Sequence, residues 1–303
     1  MNAVKIITHS GSFHADDVFA VATVILSLPR EARFIIIRTR DEDVIGSGDY
    51  VVDVGRIYNP KKRRFDHHQA GGAGKRENSI PYASFGLVWE EYGARICAHD
   101  EVKKAIDEKL VYYIDAIDNG VAFETPIFED LRSYTISDYL YSYWVDEDVE
   151  VEEIDAIFYK AVLMAKDLLE REIRKATRIL MGSRVVEEIY NNTSDKRLII
   201  LDKHYAWGKI LSGKPEPLVV VYPDTSGESW RAKSVRVSFA TFEQRILFPE
   251  AWAGKSGKEL AEISTVADAI FCHNGRFTVA AQTKEGAIAL AKRAIEEWEA
   301  RKL

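Results

Sequence analysis

The sequence predicts an α/β protein: a doubly wound, mostly parallel sheet with a helical extension, followed by a smaller C-terminal α/β domain. Three observations point there. Short, continuous apolar runs, Phe34-Ile35-Ile36-Ile37 and Tyr50-Val51-Val52, suit central strands of a parallel sheet covered on both faces. The nearly unbroken apolar stretch Val18–Leu28 ahead of them supplies the crossover helix of a βαβ unit. The length, 303 residues, leaves room for about two domains with a sizeable core.

The elements follow in order. Val4-Lys5-Ile6-Ile7-Thr8 is a β-rich run that opens the chain. Ser10-Gly11-Ser12 reads as a turn with a capping serine. Asp16 and Asp17 follow where the free N–H groups and dipole of a first helical turn attract acids. Phe34–Ile37 and Tyr50–Val52 give the second and third strands, and Arg64-Phe65 a further short one leading to Asp66. From Glu101 to Asp118, the residues Val102, Ala105, Ile106, Leu110, Tyr113, Ile114 and Ile117 recur with a helical period. The acidic run Asp146–Glu153 reads as a solvated helix start. Apolar positions from Ile154 to Leu180 then mark a helix of about 28 residues that stops at Gly182. The domain boundary is placed there, giving residues 1–182 and 183–303. Beyond it, strands are expected at Val185–Tyr190, Leu198–Asp202, Leu218–Tyr222 and Val235–Phe239, and within Phe271–Ala281. A helix near Glu285–Arg301 closes the chain. There is no internal repeat and no low-complexity tract.

Composition narrows the function. Lys and Arg number 41 against 48 Asp and Glu, a net charge of −7. That makes the chain a poor candidate for coating long duplex nucleic acid through one broad basic face, leaves a local basic groove open, and leaves room for bound divalent cations. The apolar share is 47% and the charged share 29%, as in a globular protein rather than a disordered one. Cys97 and Cys272 are too few for a disulfide framework or a thiolate zinc site, and read as small buried hydrophobes. The longest apolar stretch, about 11 residues, falls short of a bilayer span. No signal or transit peptide is read at the start. A soluble, cytoplasmic protein without a membrane partner is therefore expected, with homo-oligomerisation left open.

Chemistry concentrates in histidines and aspartates. Of seven histidines, His9, His14, His67 and His68 all fall early in the chain. His9 closes the first expected strand, Asp53 the third, and Asp66-His67-His68 the next. Carboxyl ends of strands in an open α/β sheet converge on one crevice, so these groups are expected to meet. Asp53 lies in an apolar strand, where a carboxylate needs a partner or a metal. Imidazole and carboxylate without thiolate suit Mn²⁺, Mg²⁺, Fe or Zn²⁺. A two-metal site needs a bridging carboxylate, and Asp53 is placed there, with Asp118 as a later ligand.

Several segments together resemble the melanocyte-proliferating-gene (Myg) family of the DHH phosphoesterase superfamily, which includes RecJ-type exonucleases and manganese pyrophosphatases. They are Thr8-His9-Ser10-Gly11-Ser12-Phe13-His14-Ala15-Asp16, Arg38-Thr39-Arg40-Asp41, Val51-Val52-Asp53-Val54-Gly55 and Arg64-Phe65-Asp66-His67-His68-Gln69. Further matches are Ile114-Asp115-Ala116-Ile117-Asp118-Asn119-Gly120, Arg245, Leu247–Trp252, Phe271–Phe277 and Glu285-Gly286-Ala287, so the resemblance spans nearly the whole chain. It implies a metal-dependent hydrolase, a 3′–5′ exonuclease on RNA in the best-described relatives. It further implies that His9, His14 and Asp53 hold one divalent ion, and that Asp16, Asp53, His67 and Asp118 hold a second. His68 is implied to face the substrate, contacting phosphate or protonating the leaving group, and Asp66 to orient a ligand histidine. The superfamily's first motif commonly offers a carboxylate where this chain has His14. That extra imidazole shifts the preferred metal toward Mn²⁺, with Mg²⁺, Fe and Zn²⁺ open.

In this superfamily a smaller C-terminal domain closes over the metals, which makes Arg245, His273, Asn274 and Arg276 candidate substrate contacts. Arg38 and Arg40 follow a strand and are added as candidates. Lys61-Lys62-Arg63-Arg64 reads as a solvated hairpin, and Gly71-Gly72-Ala73-Gly74 lacks the spacing of a P-loop. The leading expectation is a phosphodiesterase on single-stranded RNA or short oligonucleotides. The alternatives are a phosphohydrolase for pyrophosphate or a dinucleotide, and a non-catalytic metal- or nucleotide-binding module. The intact histidine and aspartate set argues against the last.

Overall fold

The structure, a computed structural model, describes residues 3–125, 127–128, 131–143 and 151–301; the side chains of residues 151–152 lie outside that description. The chain divides into two compact units, Met1–Thr177 and Arg178–Leu303.

In the first unit β1 (Val4–Thr8), α1 (Ala15–Ser27) and β2 (Phe34–Arg38) form a βαβ unit. A short α2 (Glu42–Gly46) leads to β3 (Tyr50–Val52), and β4 (Tyr58–Asn59) and β5 (Arg64–Phe65) complete a five-stranded sheet of order β2-β1-β3-β5-β4. The first four of these are parallel, and β4 runs antiparallel beside β5. β1 and β3 are central and covered on both faces, which their apolar runs require, whereas Phe34–Ile37, expected to be a central strand, lies at the sheet edge with Ile35 exposed. Ile6 and Ile7 point opposite ways and neither is exposed. Ile7 and Val51 pack with Val44 and Ile45 of α2. On the other face α1 packs against α3 (Ser84–Cys97), with the rings of Phe19 and Phe85 5.4 Å apart.

Two local expectations for this unit need correction. Ser12 is exposed and does not cap α1. The cap residue is His14, and Asp17 Oδ1 accepts from the N–H of His14 at 2.8 Å and of Val18 at 2.9 Å. The helix expected over 101–118 is α4 (Asp100–Ile106), a π turn at Asp107–Val111 and α5 (Tyr112–Asp118). The π turn inserts one residue, so burial passes from Val102 and Ile106 to Val111 and Ile114 and skips Leu110. α6 (Ile136–Tyr141) starts at Thr135, whose Oγ1 accepts from the Asp138 N–H at 3.0 Å.

The division between the units falls within α7 (Val151–Asn192), a helix of 42 residues. The acidic run from Asp146 lies outside the described residues as far as residue 150, and α7 takes in its end. α7 does not stop at Gly182. A Cβ there would lie 3.1 Å from Cδ1 of Tyr205, so the glycine admits that ring rather than ending the helix. Val185–Tyr190 is not a strand but the last turns of α7. Val186 and Tyr190, one helical turn apart, are buried, whereas Glu187 and Glu188 are exposed.

The second unit carries β6 (Leu198–Ile200), α8 (Gly208–Ser212), β7 (Val219–Pro223), β8 (Trp230–Ser234), α9 (Gly257–Ser264), β9 (Ala269–Cys272), β10 (Thr278–Ala281) and α10 (Lys284–Ala300). Its five-stranded sheet has the order β6-β7-β8-β10-β9, with β6 and β7 parallel and the other pairs antiparallel. Val235–Phe239 was the expected strand; the strand is Trp230–Ser234 instead. Its inward positions are Trp230, Ala232 and Ser234, two of them small, and Arg231 and Lys233 alternate with them, so the run carries little apolar signal. Past Ser234 a single bridge joins Arg236 to Gln244, and Val237 and Phe239 are exposed. α10 covers one face, where Ala287, Leu290 and Ala291 pack with Val219, Val221 and Ala232. The other face holds Val220 and Tyr222 with Val186, Trp207 and Leu211. Both cysteines are free and buried. Among the described residues no helix is long and apolar enough to cross a membrane.

Candidate metal centre

Three neighbouring parallel strands deliver the site. His9 follows the end of β1, Asp53 the end of β3, and Asp66-His67-His68 the end of β5. Strand order reverses at β1 and β3, where the carboxyl ends of a doubly wound sheet open a crevice. α1 brings Asp16 and Asp17 in its first turn, and α5 ends on Asp118. His9, His14, Asp16, Asp53, Asp66, His67, His68 and Asp118 line one cavity of about 1220 Å³, with Arg40 at its wall.

Asp53 is the hub. Its φ of 54° is left-handed, which aspartate tolerates better than most residues. Its N–H donates to the Phe65 carbonyl at 3.0 Å, which fixes the residue against β5. Oδ2 lies 3.3 Å from His9 Nε2. Oδ1 lies 3.5 Å from His67 Nε2 and 3.4 Å from His68 Nδ1, and it accepts from Ser84 Oγ at 3.1 Å. His67 Nε2 is also 3.1 Å from Asp118 Oδ2 and 3.9 Å from Asp16 Oδ2. His9 Nε2 lies 3.2 Å from Asp17 Oδ2. His68 Nδ1 is 2.8 Å from Asp66 Oδ1, which also accepts from the His68 N–H at 3.0 Å. Asp66 thus orients His68, whose side chain is 55% exposed, rather than a buried histidine.

Burial and charge oppose each other here. Burial lowers the His9 imidazole, but Asp17 and Asp53 outweigh it and raise it to about 10. His67 is lowered by burial and raised, on balance, to about 11 by Asp118 and Asp53. Burial raises Asp53, yet His67 and His9 hold it below the usual carboxylate range. Burial pushes Asp16 up, and the charges of Asp118 and Asp53 push the same way. Asp17 is raised chiefly by burial. The hydrogen bond to Asp66 raises His68.

This donor set fits divalent cations. Asp53, His67 and His68 offer three ligand atoms within 4.8 Å of one another, as do Asp16, His67 and Asp118. Asp17 Oδ2 and His67 Nε2 are buried and meet only groups of this cluster, His9 Nε2 at 3.2 Å and Asp118 Oδ2 at 3.1 Å, without hydrogen bonds of good geometry, and a cation among them would satisfy both. Several buried carboxylates facing one another repel unless cations separate them.

The N-terminus of α3 holds the carboxylates in place. The Ser84 N–H donates to Asp16 Oδ2 at 3.0 Å and the Phe85 N–H to Asp16 Oδ1 at 2.6 Å. The Gly86 N–H donates to Asp115 Oδ1 at 3.0 Å, and Arg76 Nη2 lies 2.7 Å from Asp115 Oδ2. Free N–H groups at a helix start are a natural seat for carboxylates. Sequence reasoning missed this support. It read Asp17 as an ordinary first-turn acid; Ser84, Gly86 and Arg76 carry no pattern that marks them, and Asp115, though inside a segment resembling the Myg family, carries no role in that reading.

The substrate-side candidates are placed unevenly. Arg40 reaches the cavity, with Nη2 3.4 Å from His9 Nδ1. Arg38 does not. Its side chain is buried, donates to the Gly11 carbonyl and to Asp155 Oδ1 at 2.9 Å, and lies over the Phe13 and Phe158 rings. In the second unit both Nη atoms of Arg245 donate to backbone carbonyls, of Pro217 at 2.9 Å and Ser212 at 2.8 Å. His273 and Asn274 are exposed in the turn between β9 and β10, and Arg276 follows with a φ of 56°. Arg63 and Arg64 stay in their hairpin, Arg64 donating to the Gly48 carbonyl at 3.0 Å.

A family described as "Uncharacterised protein family (UPF0160)" matches residues 5–295. A "MYG1 protein" of Dictyostelium discoideum is 31% identical, over 98% of this chain and 98% of that one. One from Chlamydia trachomatis is 34% identical over 89% of each. A mouse relative bearing the name "MYG1 exonuclease" is 28% identical over 95% of this chain and 84% of its own. With the match running through every segment that builds the crevice, the chain belongs to this family, that of the MYG1 proteins.

Proposed function

We propose that the chain is a metal-dependent phosphodiester hydrolase of DHH type, releasing nucleotides from the 3′ end of single-stranded RNA or short oligonucleotides. The observation that carries this is Asp53. Its two oxygens face different imidazoles, Oδ2 toward His9 and Oδ1 toward His67 and His68, as a carboxylate bridging two cations requires. In this reading His9, His14 and Asp53 hold one ion, and Asp16, Asp53, His67 and Asp118 the other. Mn²⁺ suits the imidazole-rich set best. When bound, the two ions supply a water of lowered pKa and neutralise charge on the phosphoryl oxygens.

The chain's own groups do the rest. His68, exposed and held by Asp66, keeps its proton and gives it to the leaving oxygen. Asp17 fixes the ring of His9, and Arg40 beside that ring meets a phosphate. The second unit is the substrate-binding part, through His273, Asn274 and Arg276, while Arg245 ties the segment between Ser212 and Pro217. The names of the mouse and rat relatives, "MYG1 exonuclease", support a nuclease. The net charge of −7 favours short substrates over long duplexes.

The test is metal-stripped protein with end-labelled single-stranded RNA of about 10 nucleotides and Mn²⁺, Mg²⁺ or Zn²⁺ in turn. A metal-dependent ladder that shortens from the 3′ end supports the reading. Faster turnover of pyrophosphate or a dinucleotide than of the RNA moves the substrate to the smaller class. No turnover of any of them removes the reading.

The raised histidines make a further prediction. In the metal-free protein His9 and His67, at about 10 and 11, hold protons at neutral pH. A metal ligand must be deprotonated, so adding Mn²⁺ at pH 7 releases about two protons per chain, and affinity climbs as pH rises. Mn²⁺ titration in weak buffer with a pH indicator measures this. Metal bound without proton release takes both rings out of the ligand set.

A further inference from the structure

We propose that the second unit carries a separate site for a nucleoside monophosphate, formed by His204, Trp207, Tyr222, Lys233, Arg236 and Phe239. This stands on the second unit alone and does not depend on the hydrolase reading.

These residues line a cavity of about 240 Å³. That is below the ~300–1,000 Å³ of drug-sized pockets, so it suits one nucleotide rather than a stretch of strand. Across β7 and β8, Tyr222 pairs with Arg231 and Val220 with Lys233, which puts Tyr222, Arg231 and Lys233 on one face of the sheet. The segment after β6 brings His204 and Trp207 over that face. The His204 ring stacks on Tyr222 at 4.9 Å and 11°, and Trp207 lies 5.9 Å from Tyr222. Phe239, 58% exposed, leans across Gly208, where a Cβ would meet its Cε2 at 3.5 Å. An exposed imidazole and an exposed phenyl ring therefore flank the opening.

The charge is one-sided. No acidic side chain among the described residues lines the cavity. Among the described residues neither Lys233 nor Arg236 pairs with a carboxylate, whereas Arg231 nearby is neutralised by Asp224 at 3.0 Å. Burial, then the charges of Arg236 and Arg231, lower the Lys233 amine. Lys233 Nζ lies 5.7 Å over the Phe277 ring and the Arg236 guanidinium 4.6 Å over that of Phe242, so each has an aromatic neighbour but no neutralising carboxylate. Aromatic rings select a planar group, and two cations without a counter-ion select a phosphate. A nucleoside monophosphate has both at the right size; inorganic phosphate lacks the ring and a nucleoside lacks the charge.

The experiment is calorimetric titration of the full chain in chelator, where no hydrolysis occurs, with 5′-AMP, adenosine and inorganic phosphate. AMP binds, and adenosine and phosphate each bind about tenfold more weakly or worse. Lys233→Ala and, separately, the exposed His204→Ala weaken AMP about tenfold while the melting temperature holds. A 5′-phosphorylated tetranucleotide decides the source: tighter binding than AMP points to a strand end, equal or weaker binding to the free nucleotide. No heat with millimolar AMP overturns the site. So does phosphate binding as tightly as AMP, or AMP affinity untouched in both variants. AMP binding that persists in a chain unable to cleave RNA upholds this site and fails the hydrolase reading alone.

Discussion

Asp53→Asn lowers metal-dependent nucleotide release by about a thousandfold or more, a loss of about 4 kcal/mol in transition-state stabilisation. The substitution keeps size and leaves a residue that still accepts the left-handed φ of 54°, so the backbone at the end of β3 is not disturbed. What it removes is charge. His9 on one side and His67 with His68 on the other lose their common carboxylate. His68→Gln acts more mildly, by about a hundredfold, because it removes a proton donor and leaves the ligands in place. Comparing kcat for both variants on end-labelled RNA, with metal content measured alongside, gives the ranking. Asp53→Asn within about tenfold of the parent enzyme locates the chemistry elsewhere. Asp53→Ala adds backbone strain at the positive φ and is the less informative variant.

The parts of this site legible in the sequence are those announced by strand ends. His9 and Asp53 each follow an apolar run, Asp66-His67 follows only the short Arg64-Phe65 strand, and the topology of a parallel sheet then collects them. What was hidden is the support. Asp17 has the ordinary look of a first-turn acid, and only the fold shows its Oδ2 beside His9. α3 contributes through backbone N–H groups, which no side-chain pattern announces, and its glycines dilute the helical period. Arg38 and Arg245 look like free cations, but Arg38 is tied to the Gly11 carbonyl and the Asp155 carboxylate, and Arg245 to two backbone carbonyls. Val185–Tyr190 is β-branched enough to read as a strand, and packing against the second sheet makes it helix. Trp230–Ser234 shows the reverse, a central strand in which Ala232 and Ser234 are small and Arg231 and Lys233 interrupt the apolar run.

Gly86→Ala destabilises the first unit by about 2–4 kcal/mol, contrary to what helix propensity alone predicts. Gly86 sits in the first turn of α3, where alanine should gain about 1 kcal/mol over glycine. Sterics reverse the sign. A Cβ there would lie 1.9 Å from Asp115 Oδ2 and 2.5 Å from Arg76 Nη2, inside a fully buried carboxylate and its partner. Neither group has room to withdraw. Arg76 is stacked over Tyr82 at 4.2 Å and Tyr112 at 4.7 Å, and Asp115 is held by the Gly86 N–H. Forcing apart a buried ion pair costs about 3–5 kcal/mol, more than the helix gains. At roughly 2–4 °C per kcal/mol for a unit of this size, the melting transition falls by about 5–15 °C. The same displacement reaches the metal centre, because the neighbouring N–H groups of Ser84 and Phe85 fix Asp16. Metal affinity therefore drops along with stability. Adding Asp115→Ala to Gly86→Ala relieves the clash, so the double variant is more stable than the sum of the two single losses. A Gly86→Ala protein that melts with the parent and binds metal as tightly shows that α3 does not pin the carboxylates.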